Sequence, residues 1–458
     1  MRISSKLWIM LLALLLLAMP LMTACDDDET TEPPTAPVAE PTAPVAEPTA
    51  PVAEPTAPVA EPTAPVTEPT APVTEPVVEE LKIKIGSLTD KTGQAAQALI
   101  NVDQALKDNI EYFTEQGLFP EGLTVELMEY DTSYNQANFI PGYEYLREQG
   151  ADIIVSSVPG SGEVLKSRVD EDGTVFFMLM ATPPLYTPPG YIFSVNINSE
   201  AIMYTLLDWV EENDPNFPTD RPAKLGGLGA ADPYVTGWIE GLNKYCENNA
   251  NWEMEDTFVV DWTTMTFTPE IDALKDCDYI IPPTTGFAIP NFITEFRQAG
   301  HTATFLGSDA AIAYLGMIID GAGWDIMDGM YFCLPYTWYT DDAEVIDIIN
   351  YVFENYHSES EVGGLMWSGG AYRGGFTQWR GVMLLIQEFL EENGLAAYNT
   401  DAFYEYLQSA SIEIDGNVWD YSETDRQSWN SMGMLQADAA TEGLVRVDDG
   451  WFPVVFEP

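Results

Sequence analysis

From residue 81 onward, strand patterns alternate with longer helical patterns, and this alternation constrains the fold more than any other feature. Strands show short apolar runs or period-two alternation, whereas helices repeat apolar residues every three or four positions. Strands that alternate with helices form mostly parallel sheets covered by helices on both faces. The predicted strands cover residues 81–86, 123–128, 153–155, 174–180, 224–228, 258–262, 278–281 and 304–307.

The helical patterns lie between and after these strands. Pro141-Gly142 interrupts the second pattern, so that helix is expected to begin or kink there. The alternation divides near residue 197, which favours an α/β fold of two lobes with a cleft between them. Helices are predicted near residues 99–113, 135–149, 199–213, 238–245, 289–298, 341–356 and 372–393, with a further helix starting at a Thr268 cap.

The first 24 residues are typical of a bacterial lipoprotein signal. Arg2 and Lys6 precede an apolar run, and Met22-Thr23-Ala24-Cys25 closes it, with Met at a position where Leu is usual. The pattern predicts cleavage before Cys25 and lipidation of that cysteine. The alternative is an uncleaved membrane anchor, because the apolar run is nearly long enough to span a bilayer. Both interpretations place the rest of the chain outside the cytoplasm, anchored to the outer face of the cell membrane.

Residues 25–80 are predicted to be a disordered tether. Glu-Pro-Thr-Ala-Pro-Val-Ala repeats from Glu40, and two prolines in every seven residues oppose both helix and sheet. At ~3.1 Å per residue in a polyproline conformation, some 45 residues would reach roughly 140 Å. A proline-rich ligand for another module is the alternative, although no basic residues accompany the prolines.

Charge and residue usage exclude several classes of function. Lys and Arg number 18 against 73 Asp and Glu, a net charge of -55, which excludes nucleic acid and anionic lipid surfaces as partners. The sequence contains no metal-binding spacing of Cys and His, no nucleotide-binding loop and no hydrolase motif, so no metal, cofactor or enzymatic activity is expected. Apart from Cys25 the cysteines are Cys246, Cys277 and Cys333, so at least one of these three is unpaired within the chain.

Small and polar residues follow several predicted strands, where parallel sheets bind ligands. Pro159-Gly160-Ser161-Gly162 turns a strand into a helix, which would direct N–H groups and a hydroxyl at an anion. Thr182 offers similar groups, Asp309 offers a negative charge to a cation, and Tyr234 offers a flat apolar face. Together they suit a zwitterion such as an amino acid. The alternatives are an ordinary turn, a helix cap at Asp309 and core packing at Tyr234.

Six short motifs along the chain, taken together, point to a known family. They are Ile83-Lys-Ile-Gly-Ser-Leu-Thr-Asp-Lys-Thr-Gly93, Gly160-Ser161, Ala181-Thr182, Tyr234-Val-Thr-Gly237, Phe296-Arg-Gln-Ala-Gly300 and Phe305-Leu-Gly-Ser-Asp309. Their order is the one seen in type I periplasmic binding proteins. Over residues 81–458 the chain resembles most the branched-chain amino acid (leucine/isoleucine/valine) binding proteins of ABC importers.

The resemblance implies two lobes that close over a ligand about a three-strand hinge. Lobe 1 would comprise residues 81–197 and 336–424, and lobe 2 residues 198–335 and 425–458. Asp309 stands where the family typically has Glu, the turn lacks a Ser-rich run, and residues 93–98 lack an aromatic that often lines the pocket. The implied ligand-binding residues are Gly160, Ser161, Ala181 and Thr182 for the carboxylate, Tyr234 against the ligand, and Asp309 for the ammonium.

The expected function is therefore that of an extracytoplasmic, lipid-anchored solute-binding protein. It would capture a small polar ligand, an amino acid or an amide-like compound, and deliver it to the membrane subunits of an ABC permease. The alternative is a sensor module in which the same lobes report the ligand to a signalling partner.

Overall fold

The computed structural model describes residues 80–283, 286–448 and 450–458. The predicted signal, the lipidation site Cys25 and the tether lie outside these residues. Within them, no helix is both long and apolar enough to cross a membrane.

The first sheet is entirely parallel and has five strands in the order β2-β1-β3-β4-β5. Its central strands β3 and β4 are buried along their whole length, because helices cover both faces of the sheet. We call the part of the chain built on this sheet lobe 1. The strands are β1 (Leu81–Thr89), β2 (Leu123–Asp131), β3 (Ile153–Ser156), β4 (Val175–Met178) and β5 (Ile192–Ser194).

The second sheet defines lobe 2 and runs in the order β14-β13-β10-β9-β8-β6-β7. Strands β6 to β10 are parallel, whereas β13 pairs antiparallel with β10 and also with β14 and β15. Strands β11 and β12 form a separate hairpin. The strands are β6 (Ala223–Ala230), β7 (Trp252–Val260), β8 (Tyr279–Ile281), β9 (Thr304–Gly307), β10 (Tyr331–Leu334), β11 (Ser411–Ile414), β12 (Asn417–Asp420), β13 (Ser431–Asp438), β14 (Gly443–Arg446) and β15 (Phe452–Pro453).

The helices fill the connections between strands and pack on both sheets. The first and the longest, α1 and α13, pack against each other in lobe 1, where Gly375 allows α13 to approach Val102 of α1. The described helices are α1 (Ala96–Glu115), α2 (Phe139–Glu148), α3 (Ser161–Asp172), α4 (Ser199–Asn213), α5 (Pro233–Asn248), α6 (Thr268–Leu274), α7 (Ala288–Gln298), α8 (Asp309–Ile312), α9 (Leu315–Ala322), α10 (Trp324–Met327), α11 (Glu344–Tyr356), α12 (Glu359–Trp367), α13 (Gly370–Asn393) and α14 (Thr400–Leu407).

The chain passes between the two sheets three times, after β5, after β10 and before β13. Side chains tie these crossing segments to one another. The Tyr421 hydroxyl donates to the carbonyl of Ser194 at 2.7 Å, and the Trp429 indole N–H donates to the carbonyl of Val195 at 3.1 Å. The Asn417 amide donates to the carbonyl of Pro335 at 2.9 Å. These three segments form the hinge of the two-lobed fold.

The predicted α/β architecture is confirmed, and the differences lie at element boundaries. Helix α2 begins at Phe139 and keeps Pro141 within its first turn, where the missing N–H has no helical partner to lose. Strand β7 starts at Trp252, six residues before the predicted position, because residues 252–255 extend this edge strand with side chains that are alternately more and less buried. Phe267, not Thr268, precedes the first residue of α6. The three cysteines Cys246, Cys277 and Cys333 are all free thiols.

Gly381 in the middle of α13 provides a test of how tightly the hairpin formed by β11 and β12 packs on lobe 1. A Cβ atom added there would lie 2.2 Å from the ring of Trp419, which is fully buried in β12. We expect Gly381→Ala to lower the free energy of unfolding by about 1–3 kcal/mol, measured by chemical denaturation. In the control Gly363→Ala, the added methyl on the exposed surface of α12 meets nothing within 4 Å, so stability should be unchanged or slightly higher. Equal stability of both variants and the parent would contradict this packing.

Candidate ligand-binding site between the lobes

The site lies where the carboxyl ends of the parallel strands of the two lobes face each other. An ideal Cβ on Gly160, which precedes α3 in lobe 1, would lie 3.5 Å from Pro233 at the start of α5 in lobe 2. Gly160 has a φ of +78°, a left-handed conformation that favours glycine at this turn. The loops of the two lobes are therefore in close contact across the cleft.

A cavity of about 40 Å³ is enclosed between the lobes and has almost wholly apolar walls. Lobe 1 contributes one face of α1 and the loops that follow β2, β3 and β4. Lobe 2 contributes the loops that follow β6, β7 and β9. The wall residues from lobe 1 are Ala95, Ala98, Leu99, Val102, Tyr134, Pro159 and Met180, and those from lobe 2 are Asp232, Tyr234, Val235, Trp262, Ala310, Ala313 and Tyr314.

A second cavity, of about 30 Å³, adjoins the first and is more polar. Val102, Met180, Ala310 and Ala313 belong to the walls of both. Met180 is flexible and polarisable, so its side chain can change the division between the two spaces at little cost. The second cavity is completed by Leu179, Asn196, Asp309, Tyr336, Gly370, Ala371, Gly374, Gly375 and Gln378.

Asp309 is a buried carboxylate at this site. It is the first residue of α8, where Ser308 is the N-cap and accepts from the N–H groups of Ala310 and Ala311. Its Oδ2 accepts a 2.6 Å hydrogen bond from the Asn196 amide in the hinge. Only 8% of Asp309 is exposed, and burial raises its pKa to about 6, although the hydrogen bond from Asn196 opposes that rise.

Tyr234 is brought to the same carboxylate by α5. Asp232 caps this helix by accepting from the Tyr234 N–H at 2.9 Å, and Pro233 occupies the first helical position. The Tyr234 hydroxyl lies 3.3 and 3.4 Å from the two carboxylate oxygens of Asp309. The structure thus brings together the two lobe 2 residues that the sequence nominated.

The hydroxyls predicted in lobe 1 are engaged within their own lobe. The Ser161 hydroxyl donates to the carbonyl of Val158 and lies 2.8 Å from that of Ser156. The Thr182 hydroxyl donates to Glu163 at 2.7 Å. Gly160, Ser161, Ala181 and Thr182 adjoin the two cavities without lining them, and their neighbours Pro159 and Met180 form the walls instead.

The backbone of these loops offers hydrogen-bond donors, whereas their hydroxyls are already engaged. Among the described residues, the N–H groups of Ala181 and Thr182 have no hydrogen-bond acceptor. Ala181 is fully buried and only 8% of Thr182 is exposed. A buried N–H group without a partner costs about 1–3 kcal/mol, so two such donors side by side favour an anionic or carbonyl group at this position.

Four further residues of the site were not predicted as such. Asn196 lies in the hinge and Trp262 in the loop after β7, while Tyr134 and Asp232 meet across the cleft at 2.6 Å. Asp232 was detectable, because Asp-Pro before a helical pattern indicates an N-cap. The other three depend on how loops distant in the sequence come together, which no local pattern reports.

No group of His, Cys, Asp and Glu within the described ranges has the arrangement needed to hold a metal ion. The space between the two hinged lobes has a buried carboxylate, unpaired backbone donors and apolar walls. This combination is typical of the class of proteins that enclose a small solute.

Residues 82–440 match the family described as periplasmic binding protein, and the chain therefore belongs to that family. Proteins of this family bind solutes outside the cytoplasm and are binding proteins rather than enzymes. No curated protein matches the chain in sequence.

Solved structures share the fold at low sequence identity. A branched-chain amino acid ABC transporter protein from Thermus thermophilus with bound valine is 16% identical, with a TM-score of 0.70 over 82% of this chain and 97% of that chain. A leucine binding protein from Thermotoga maritima is 14% identical, with a TM-score of 0.63 over 80% and 98%. A solute-binding protein from Rhodopseudomonas palustris in complex with benzoate is 13% identical, with a TM-score of 0.62 over 82% and 98%.

The raised pKa of Asp309 predicts how stability depends on pH in the absence of ligand. Because the folded state binds the proton more tightly than the unfolded chain, the carboxylate should destabilise the fold progressively as pH rises from about 4 to about 6. Asp309→Asn keeps groups able to bond with Asn196 and Tyr234 but removes the buried charge. We expect the variant to be more stable than the parent by about 1–3 kcal/mol at pH 7.5, with the difference fading near pH 4.

Chemical denaturation at both pH values measures this difference. Asp325→Asn is the matched control, since it removes an exposed carboxylate from the first turn of α10. If the difference in the free energy of unfolding between Asp309→Asn and the parent stays constant across this pH range, Asp309 is not held as a buried charge.

Proposed function

We propose that this chain captures an amino acid, or an amide-like compound of similar shape, between its lobes and delivers it to an ABC transporter. The observation that carries this proposal is the buried carboxylate of Asp309, held by Asn196 and Tyr234 at the wall of a largely apolar space between the lobes. A buried carboxylate is costly without a positive partner, and the described residues that line the two cavities include no Lys or Arg.

An ammonium group on the ligand would supply that partner. It would neutralise Asp309 and donate hydrogen bonds to a carboxylate that Asn196 and Tyr234 already fix in position. A charge-assisted contact of this kind is about twice as strong as a neutral hydrogen bond. Binding would also lower the pKa of Asp309, because a positive charge nearby favours the ionised form.

The other end of the ligand would meet lobe 1. The unpaired N–H groups of Ala181 and Thr182 would receive its carboxylate or carbonyl oxygen, and the start of α3 at Ser161 adds the positive end of a helix dipole. The Thr182 hydroxyl already donates its hydrogen bond to Glu163, so the backbone would contribute more than the side chain here. Closure of the lobes is required for both ends to be bound together.

The body of the ligand would occupy the apolar space beside α1. Leu99, Val102 and Val235 line it with the rings of Trp262 and Tyr314, which favours an aliphatic or aromatic group over a polar one. The structural relatives with bound valine and with benzoate both hold a carboxylate attached to an apolar body, in agreement with this arrangement. Entry requires the lobes to separate about the hinge, and capture is their closure without covalent chemistry.

We further propose that lipid on Cys25 holds the protein at the outer face of the membrane, with residues 26–80 as a spacer. The acidic composition, with a net charge of -55, would keep the domain itself away from anionic lipid surfaces. A tether would keep the binding domain near the transporter while leaving the lobes free to open and close.

A thermal-shift screen of the full chain tests the ligand class, using valine, leucine, phenylalanine, the corresponding amides, and benzoate. A true ligand should raise the melting temperature in proportion to the logarithm of its concentration. With an ammonium ligand, Asp309→Ala should weaken binding by roughly 30-fold or more in calorimetry, because it removes the carboxylate that pairs with the ammonium. The control Asp325→Ala should bind as the parent does.

Benzoate tests the carboxylate end of the proposed site separately from the ammonium end, since it carries a carboxylate and no ammonium. If only benzoate shifts the melting temperature and Asp309→Ala binds it as well as the parent, the ammonium site proposed at Asp309 is wrong. If no compound of the panel binds, the amino acid class is rejected.

Anchoring is tested in cells that process bacterial lipoproteins. The parent chain should appear in the membrane fraction, and the mass of its N-terminal peptide should include a lipid on Cys25. In Cys25→Ala the N-terminal peptide should carry no lipid, and the protein should no longer appear in the membrane fraction. Cys246→Ala should behave as the parent chain does. A parent chain that retains residues 1–24 would instead support the uncleaved anchor.

A further inference from the structure

A side-chain hydrogen bond joins the two lobes at the edge of the first cavity. The hydroxyl of Tyr134, which follows β2 in lobe 1, donates to the carboxylate of Asp232, which follows β6 in lobe 2, over 2.6 Å. The ring of Tyr134 also contacts that of Trp262 in lobe 2, with centroids 5.5 Å apart at an angle of 63°. All three residues line the cavity.

The loop of lobe 1 holds Tyr134 in a costly conformation. Ser133 and Tyr134 both have a φ of +52°, which is uncommon for residues other than glycine and costs free energy at each position. The turn is fixed by Thr132, whose N–H and hydroxyl both donate to the carbonyl of Thr89 at 2.9 and 2.8 Å. Its carbonyl accepts from the Asn138 amide at 3.0 Å. A turn held this firmly presents the Tyr134 ring toward lobe 2.

The acceptor in lobe 2 is equally well positioned. One carboxylate oxygen of Asp232 caps α5 by accepting from the N–H groups of Tyr234 and Val235, at 2.9 and 3.4 Å, and the other accepts from Tyr134. The cap therefore does not depend on Tyr134, and the second oxygen is free for a partner from the other lobe. The same helix carries Tyr234, whose hydroxyl reaches Asp309.

We propose that Tyr134 and Asp232 form a latch that keeps the lobes closed and seals the cavity. The two residues belong to different lobes, so the lobes cannot separate at this edge unless their hydrogen bond breaks. The bond is partly buried, and its acceptor is the carboxylate of a residue that is only 5% exposed, which makes it stronger than a bond between exposed neutral groups. Tyr134 is thus a positioning residue for capture, acting through the lobe arrangement. The inference requires only the two-lobed fold and not the identity of the ligand.

Thiol labelling of a cavity-wall cysteine in the ligand-free full chain tests the latch. Ala98 on α1 lines the cavity and is 3% exposed, so a cysteine introduced by Ala98→Cys should react with a maleimide only when the lobes separate. Adding Tyr134→Phe removes the hydroxyl and keeps the ring. We expect the labelling rate of Cys at position 98, read by peptide mass spectrometry, to rise on the order of tenfold.

Tyr143→Phe is the matched control, because the Tyr143 hydroxyl also donates to an aspartate, Asp172 at 3.0 Å, but entirely within lobe 1. That variant should leave the labelling rate unchanged. The natural thiol of Cys277 in lobe 2 is buried beside Gly226 and reports on unfolding in the same sample. Its rate should not follow the rate at position 98.

A double-mutant cycle distinguishes a latch from two independent contributions. Asp232→Asn keeps a carbonyl oxygen for the helix cap but alters the group that faces Tyr134. If the two side chains act through one hydrogen bond, Tyr134→Phe and Asp232→Asn together should accelerate labelling little more than either alone. The proposal is overturned if Tyr134→Phe labels at the parent rate, if the two effects multiply, or if Cys277 accelerates in parallel.

Discussion

The buried carboxylate of Asp309 is the constraint on which the candidate site depends. One of its oxygens is held by Asn196 of the hinge, and both lie within reach of Tyr234 of lobe 2. A charge so placed lowers the stability of the ligand-free protein. Under the proposed function, the same charge would favour ligands that carry an ammonium group, so the lost stability would be matched by selectivity in binding.

The sequence predicted the architecture well, because strand and helix periods are local. Strands such as β3 and helices such as α4 follow directly from their apolar patterns. Asp309 and Tyr234 were identified from strand ends and from family resemblance, and the structure brings them together. The sequence could not predict that the Ser161 and Thr182 hydroxyls find partners within lobe 1. Such pairing depends on rotamers and on neighbours several positions away.

Contacts across the cleft were the least predictable part. Tyr134 lies in a turn whose sequence shows no ligand signature, and its contact with Asp232 joins residues 98 positions apart in the chain. The cleft combines contacts of two kinds. Those at Asp309 are the ones proposed to depend on a ligand, whereas the contact between Tyr134 and Asp232 requires only that the lobes meet. The affinity for a ligand would then depend partly on a contact between the lobes in which the ligand takes no part.

The hydrogen bonds of Tyr421, Trp429 and Asn417 among the crossing segments have a mechanical consequence. Segments that bend separately would let the lobes tilt and twist in many directions. Segments joined to one another bend together, which restricts the lobes to rotation about a common axis. A partner on the outer surface would then sense occupancy as one angle between two rigid bodies, whichever solute lies inside.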